Sequence, residues 1–215
     1  MSLRSAGPIL YLITRGEATP ANFTESSREI LDIVRVAVKE KVGLIQIREK
    51  QLTARRVFEL TIQAVGVTRE TSTRLLVNDR ADIALAAGAD GVHLTANSLG
   101  VDVIRDNFPK EFVIGASVHS LRTAEMAAQQ GADFIVFAPV FKTPGKAAPH
   151  GLEALNDVCD ALRPFPVLAL GGVDETNCES VLASGASGFA AIRSLNDPGK
   201  LHEICQGMRN IKNAN

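Results

Sequence analysis

The feature that most limits what this chain can become is its rhythm. Short, almost wholly apolar runs alternate with longer stretches of helical spacing, eight times over. The runs at 8–14, 43–47, 74–77, 90–94, 112–116, 133–137, 166–170 and 187–192 read as strands. They lack the polar alternation of a half-solvated sheet and suit parallel strands buried on both faces. The stretches 26–41, 53–70, 81–87, 98–107, 121–130, 152–162, 174–183 and 199–210 read as helices. Thr53 fits an N-cap and Gly88 a closing C′ glycine. Three helix-to-strand turns repeat one pattern: Gly88-Ala-Asp90, Gly131-Ala-Asp133 and Gly185-Ala-Ser187. Eight such units in one chain predict an α/β fold, a (β/α)8 TIM barrel forming a single domain over 1–215. The competing doubly wound open sheet is disfavoured because no Gly-x-Gly-x-x-Gly follows the first strand.

Composition narrows the function. Charged residues make up 22% of the 215, and the formal net charge is −1, so a dominant basic surface for nucleic acid is not expected. With no tryptophan and one tyrosine, a base-stacking platform is not expected either. No apolar run approaches the roughly 18 residues of a membrane-spanning helix. The opening residues lead directly into a strand-like run instead of a signal-peptide core. Cys159, Cys178 and Cys205 are scattered without ligand spacing, as idle or buried thiols in a reducing compartment would be. The chain therefore reads as cytoplasmic. Its expected partners are small phosphorylated molecules, with no nucleic acid and no membrane; homo-oligomerisation is left open.

In a barrel of this class, chemistry gathers where strands feed the following loops. The second strand ends in Gln46-Ile47-Arg48-Glu49-Lys50. Period-two alternation puts Gln46, Arg48 and Lys50 on one face, with Ile47 and Glu49 on the other. An amide and two cations suit a phosphate or diphosphate, since Arg forks onto phosphate oxygens and Lys adds a point charge. A strand running into a solvated charged loop fits the pentapeptide equally well. Asn78-Asp79 fits a plain helix N-cap, or a substrate contact beside a hard oxygen ligand for Mg²⁺. Gly171-Gly172 fits a turn, or a close backbone approach to a phosphate, and Arg193-Ser194 at the eighth strand's end favours the phosphate. His93 and His119 read as packed, hydrogen-bonded histidines more readily than as catalysts. Thr143-Pro-Gly-Lys146 fits a surface loop, or a lid that carries Lys146 to a leaving group.

With these residues in place, the chain resembles the thiamine-phosphate synthase (thiamine-phosphate pyrophosphorylase) and thiazole tautomerase superfamily over roughly 9–198. The landmarks are Gln46-Ile-Arg-Glu-Lys50, Val77-Asn-Asp79, Ala89-Asp-Gly-Val-His-Leu94, Gly115-Ala-Ser-Val-His119, the stretch 131–143 ending in Pro139-Val-Phe-Lys-Thr143, and Leu170-Gly-Gly-Val173. The resemblance implies a TIM barrel that joins hydroxymethylpyrimidine pyrophosphate to hydroxyethylthiazole phosphate with Mg²⁺, releasing pyrophosphate. It implies that Gln46, Arg48 and Lys50 bind the pyrimidine pyrophosphate. Asn78 would contact the pyrimidine substrate and Asp79 would hold Mg²⁺. Ser117 would contact the pyrophosphate and Lys146 would stabilise it as it leaves, which makes Arg48, Ser117 and Lys146 the expected catalytic residues. Thr143, Gly172, Arg193 and Ser194 would seat the thiazole phosphate.

The chain departs from that pattern in four places. Ser98 stands where the family usually has a second Mg²⁺ carboxylate, and Gly145 replaces a hydroxyl in the Thr-x-Thr-Lys loop. Arg193-Ser194 replaces Ser-Ala, and Ala138-Pro139 replaces Gly-Pro. These departures keep two other readings in play: a thiazole tautomerase-like isomerase, and a catalytically silent barrel that binds a thiamine precursor or phosphate.

Overall fold

The computed structural model describes residues 7–145 and 148–214. Its strands are β1 (Ile9–Ile13), β2 (Leu44–Ile47), β3 (Arg74–Asn78), β4 (Gly91–Leu94), β5 (Val113–Val118), β6 (Phe134–Phe137), β7 (Val167–Ala169) and β8 (Gly188–Ala191). Its helices are α1 (Phe23–Lys39), α2 (Ala54–Thr68), α3 (Ala81–Ala87), α4 (Val101–Asn107), α5 (Leu121–Gln129), α6 (Gly151–Leu162), α7 (Cys178–Ala183) and α8 (Pro198–Ala214). The strands pair in sequence order, all parallel, and β8 returns to β1 to close the barrel. The predicted (β/α)8 architecture is therefore the observed one.

The apolar runs became strands because both of their faces are covered. Alternate residues point outward into the layer under the helices, among them Leu12, Ile45, Val77, Val92 and Ile135. The others fill the lumen: Ile9, Tyr11, Ile13, Leu44, Leu76, Phe134, Val136, Leu168 and Ala190. Tyr11 and Phe134 meet edge to face at 5.5 Å in the lumen's centre. This leaves a packed plug and no pore.

The repeated Gly-Ala-Asp turns now have a mechanism. Gly88 and Gly131 take left-handed φ at the helix ends, and the alanines are buried. Each aspartate then reaches the preceding strand. Asp90 accepts from the Leu75 amide at 2.8 Å, and Asp133 from the Ile114 amide at 2.7 Å. Each also meets an arginine, Arg74 and Arg105 respectively. These bonds brace the end of the barrel opposite the chemistry.

Most boundaries shift by a few residues from expectation; two helix starts shift for a clear local reason, and one short element is added. Helix α4 starts at Val101 and not at 98, because the Ser98 hydroxyl accepts from the Thr95 amide at 2.7 Å and closes a turn. Helix α7 starts at Cys178 and not at 174. There Asp174 takes the Thr176 amide and hydroxyl while Asn177 takes the Asp174 amide. Such local side-chain bonds compete with a helix's first turn. The added element is a short 3-10 helix, Ser194–Asn196, which follows β8 where only a loop was expected. Thr53 does cap α2, accepting from the Arg56 amide, whereas α3 is entered at Arg80 without a side-chain cap. The plain N-cap reading of Asn78-Asp79 is therefore not the structure's use of that pair.

Candidate active site

The C-terminal ends of β2 to β5 form a linked polar layer above the aromatic plug. Gln46 points inward and is 1% exposed, and its Nε2 donates to Asn78 Oδ1 at 3.0 Å. On β4, His93 is 2% exposed and its Nε2 lies 2.8 Å from Ser117 Oγ on β5. The β3–β4 register places Asn78 beside His93. Asp79 closes the link by donating its backbone N–H to the His93 carbonyl at 2.9 Å. Its φ is +64°, a left-handed conformation that aspartate tolerates better than most residues, and its carboxylate is exposed at the rim.

Arg48 follows β2 and is held from several sides. Its amide donates to Thr14 Oγ1 at 2.8 Å. Its guanidinium lies against Gly16, where an added Cβ would come within 3.0 Å of Nη1. Glu49 locks that neighbour. Only 4% exposed, it accepts from the Gly16 amide at 3.1 Å and from the Ala18 amide at 2.9 Å. The β1–α1 loop is also tied across the seam. Asn196 Nδ2 donates to the Ile13 carbonyl at 2.7 Å, and Arg15 donates to the Asn196 carbonyl at 3.2 Å. β2 ends at Ile47, so the alternation expected through Lys50 stops there, and Lys50 sits exposed in the following turn.

Glu49→Gln should lower global stability by about 1.5–3 kcal/mol, the usual worth of hydrogen bonds to a charged group. Chemical denaturation monitored by circular dichroism checks this, and an unchanged midpoint would show that the carboxylate does not hold the loop.

Burial among aromatic rings, reinforced by the nearby Arg48 charge, pushes the His93 pKa down to about 3. The imidazole is neutral at neutral pH and does not compete for a cation's role. Burial raises the Tyr11 pKa well above its usual value, so the phenol stays protonated.

The opposite side of the mouth is made of loops. The segment after β6 folds back onto the end of β7: Val140 and Phe141 donate to the carbonyls of Leu170 and Gly171, both at 2.9 Å. This close approach requires glycine. At Gly171, φ +100°, a Cβ would sit 2.8 Å from Pro139 Cβ, and at Gly172, φ +68°, another would sit 2.8 Å from Phe141 Cβ. Thr143, partly buried, bonds its hydroxyl to the Phe141 carbonyl at 3.1 Å beside Gly171. The His119 ring bonds through Nδ1 to the Ala138 carbonyl at 2.6 Å, joining the β5 and β6 ends. Ser194 is buried and donates to the Val173 carbonyl at 3.3 Å, while Arg193 is exposed. Lys146 lies outside the described residues.

The structure thus brings Gln46, Arg48, Asn78, Asp79 and Ser117 to adjacent strand ends. It sets Thr143 with Gly171-Gly172, and puts Arg193 and Ser194 on the segment after β8. One residue matters more than the sequence reading suggests: alternation puts Glu49 on the opposite face from Arg48, yet its carboxylate fixes the loop against which Arg48 lies. His93 is the packed, hydrogen-bonded histidine expected, and its partner is Ser117. Neither partner shows in a local pattern, because each is brought in by the neighbouring strand. A groove of about 580 Å³ runs along α1 from the β1–α1 loop, with Arg15, Glu49 and Asn196 at its inner end. Glu17, Glu25, Glu29 and Asp32 line it, so it suits an anionic substrate poorly.

Among the described residues, no three His, Cys, Asp or Glu side chains cluster as a metal cage. Asp79 alone still suits Mg²⁺, which typically takes one or two carboxylates and fills its shell with water and phosphate oxygens. Ser98 adds no charge, and its hydroxyl is already engaged with Thr95.

A closed parallel barrel with a polar rim at its C-terminal face is a (β/α)8 scaffold of the kind on which enzymes place their sites. The chain belongs to the thiamine monophosphate synthase family, whose model matches residues 10–195. It is 38% identical over 181 residues to a thiamine-phosphate synthase of Methanoculleus marisnigri, covering 83% of this chain and 85% of that one. It is 37% identical over 209 residues to one of Syntrophomonas wolfei, covering 96% and 97%. Among solved structures, it superposes on thiamine phosphate pyrophosphorylase from Pyrococcus furiosus with a TM-score of 0.80, at 31% identity over 96% of each chain.

Proposed function

We propose that this chain is a thiamine-phosphate synthase: it joins hydroxymethylpyrimidine pyrophosphate to hydroxyethylthiazole phosphate, giving thiamine phosphate and pyrophosphate. The observation that carries the reading is the linked Gln46–Asn78 and His93–Ser117 layer with Arg48 beside it, at the strand ends of a chain in this family.

The bond that breaks joins the pyrimidinylmethyl carbon to the pyrophosphate oxygen, and its electron pair leaves with pyrophosphate. The resulting cation is stabilised by the pyrimidine ring. The thiazole nitrogen then attacks with its own lone pair, so no general base is needed. The site's task is to hold two anions, neutralise the departing one and exclude water. Gln46 and Asn78 orient the pyrimidine. Arg48, Lys50, Ser117 and Lys146 receive the diphosphate, and the Gly171-Gly172 and Thr143 pairing, with Arg193 and Ser194, seats the thiazole phosphate. The loops after the seventh and eighth strands are this fold's habitual phosphate site. Asp79 is the residue that would hold Mg²⁺, through its rim carboxylate, and a bound ion would supply charge neutralisation for the diphosphate.

A purified preparation given both substrates should form thiamine phosphate and pyrophosphate only when Mg²⁺ is present, and excess chelator should stop it. No product with both substrates and Mg²⁺ would refute the synthase reading. The same assay in deuterated solvent scores the tautomerase reading by isotope incorporation into the thiazole. That reading has less support, since Pro139 stands where the branch's proton-shuttling histidine falls and His119 Nδ1 is committed to the Ala138 carbonyl. Phosphate binding with neither reaction would mark a silent binder.

A further inference from the structure

We infer that His93 is a positioning residue that turns the Ser117 hydroxyl hydrogen outward, toward the anion held at the barrel mouth. The inference rests on the reading of that mouth as a diphosphate site. It begins from an imbalance in the hydrogen bonding of one buried ring. His93 Nε2 has a partner in Ser117 Oγ at 2.8 Å, whereas Nδ1 is buried without one among the described residues. The ring cannot turn to find another partner. Tyr11 lies against it at 5.6 Å between centroids and Phe134 at 6.1 Å. On the remaining side, a Cβ at Gly115 would come within 2.8 Å of Nδ1, so only glycine leaves the ring its place.

A neutral imidazole carries its proton on one nitrogen and a lone pair on the other. Protonation at Nδ1 would bury a donor with no acceptor, and orphaned buried donors are rarer in proteins than under-satisfied acceptors. Protonation at Nε2 leaves Nδ1 as a bare lone pair and makes Nε2–H the donor to Ser117 Oγ. The serine oxygen then accepts from inside the barrel, which leaves its own hydrogen free to point to the mouth. Ser117 sits partly exposed at the end of β5, so its hydroxyl reaches that space. In a chain of hydrogen bonds each member polarises the next, so accepting from His93 also strengthens Ser117 as a donor. No proton is transferred: His93 fixes the direction of a hydrogen bond, and Ser117 makes the contact with the anion.

Histidine labelled with ¹⁵N in the full-length parent protein reports the tautomer directly by NMR, with the His93 resonances assigned by their loss in His93→Asn. The expected result is protonation at Nε2, with a resonance that moves in Ser117→Ala while those of His150 and His202 stay in place. Protonation at Nδ1 would overturn the inference, as would a His93 signal indifferent to Ser117→Ala.

The second arm uses inorganic pyrophosphate as the probe, with affinity measured by calorimetry. His93→Ala should weaken binding about 10-fold, the scale of one lost hydrogen bond. His93→Gln, which restores an amide donor, should recover part of the loss. His93→Ala combined with Ser117→Ala should bind no more weakly than Ser117→Ala alone. Additive losses in the double variant would overturn the positioning role. Both arms are read without turnover, so an inactive parent would sink the synthase reading while leaving the tautomer and the binding series to decide this one. If His93→Ala fails to fold, the parent and Ser117→Ala spectra still decide it.

Discussion

Arg48→Ala should lower kcat/KM for thiamine phosphate formation by ~10²–10³, the cost of removing one preorganised donor from a developing anion. The expectation comes from how firmly this side chain is placed. Its own amide is pinned to Thr14, and its guanidinium lies against Gly16. The loop carrying Gly16 is in turn locked by the buried Glu49. With its backbone and the adjoining loop fixed in this way, the guanidinium starts from a defined place when a diphosphate arrives, so part of its binding energy goes into the reaction. Arg48→Lys should recover only a small part of the loss, because an ammonium supplies a point charge without the guanidinium's fork. Steady-state kinetics on both variants, with their folding checked by circular dichroism, measures this. A decline under about tenfold, which is ~1.4 kcal/mol, would remove Arg48 from the chemistry.

Gly188→Ala should destabilise the fold by more than ~3 kcal/mol, a large effect for one methyl group. The barrel closes only where β8 pairs with β1, and Gly188 sits opposite Ile9 at that seam. A Cβ there would lie 1.9 Å from the Ile9 carbonyl oxygen and 2.6 Å from its nitrogen. Both atoms are backbone, and the Ile9 amide is already bonded to the Ser187 carbonyl at 2.8 Å, so neither strand can yield cheaply. In a chain of this size the loss corresponds to a fall in Tm of about 6–12 °C. Gly66→Ala is the matched control. It lies inside α2 with nothing within 4 Å of a new Cβ, so it should stabilise by about 0.5–1 kcal/mol through helix propensity. Thermal denaturation of the two variants side by side separates crowding at the seam from any general effect of replacing glycine.

The architecture was legible because it is written locally. A buried parallel strand shows as a continuous apolar run, and its helix as a 3.6-residue stripe, each within a dozen residues. Eight repeats of that unit leave few closed arrangements, so β1 through β8 were placed with small boundary errors. Where boundaries slipped, as at Ser98 and Asp174, short polar side chains had found backbone partners that a periodicity argument does not weigh. The site was partly legible for the same reason. Once the strands are drawn, Gln46, Asn78 and Ser117 must stand at their ends, and Gly171-Gly172 must open the loop after the seventh.

By itself, then, the sequence determined the closed barrel and the ring of positions around its mouth, because strand ends follow from short-range periodicity and chain order. Tertiary structure alone decided what those positions do to one another. Glu49 reaches back 33 residues to hold Gly16, and the His93 ring meets a serine 24 residues onward. The folded-back loop after β6 turns Gly171 from a flexible turn residue into the only one that fits against Pro139. Each of these depends on neighbouring strands being paired in register, which brings together residues that no local periodicity relates.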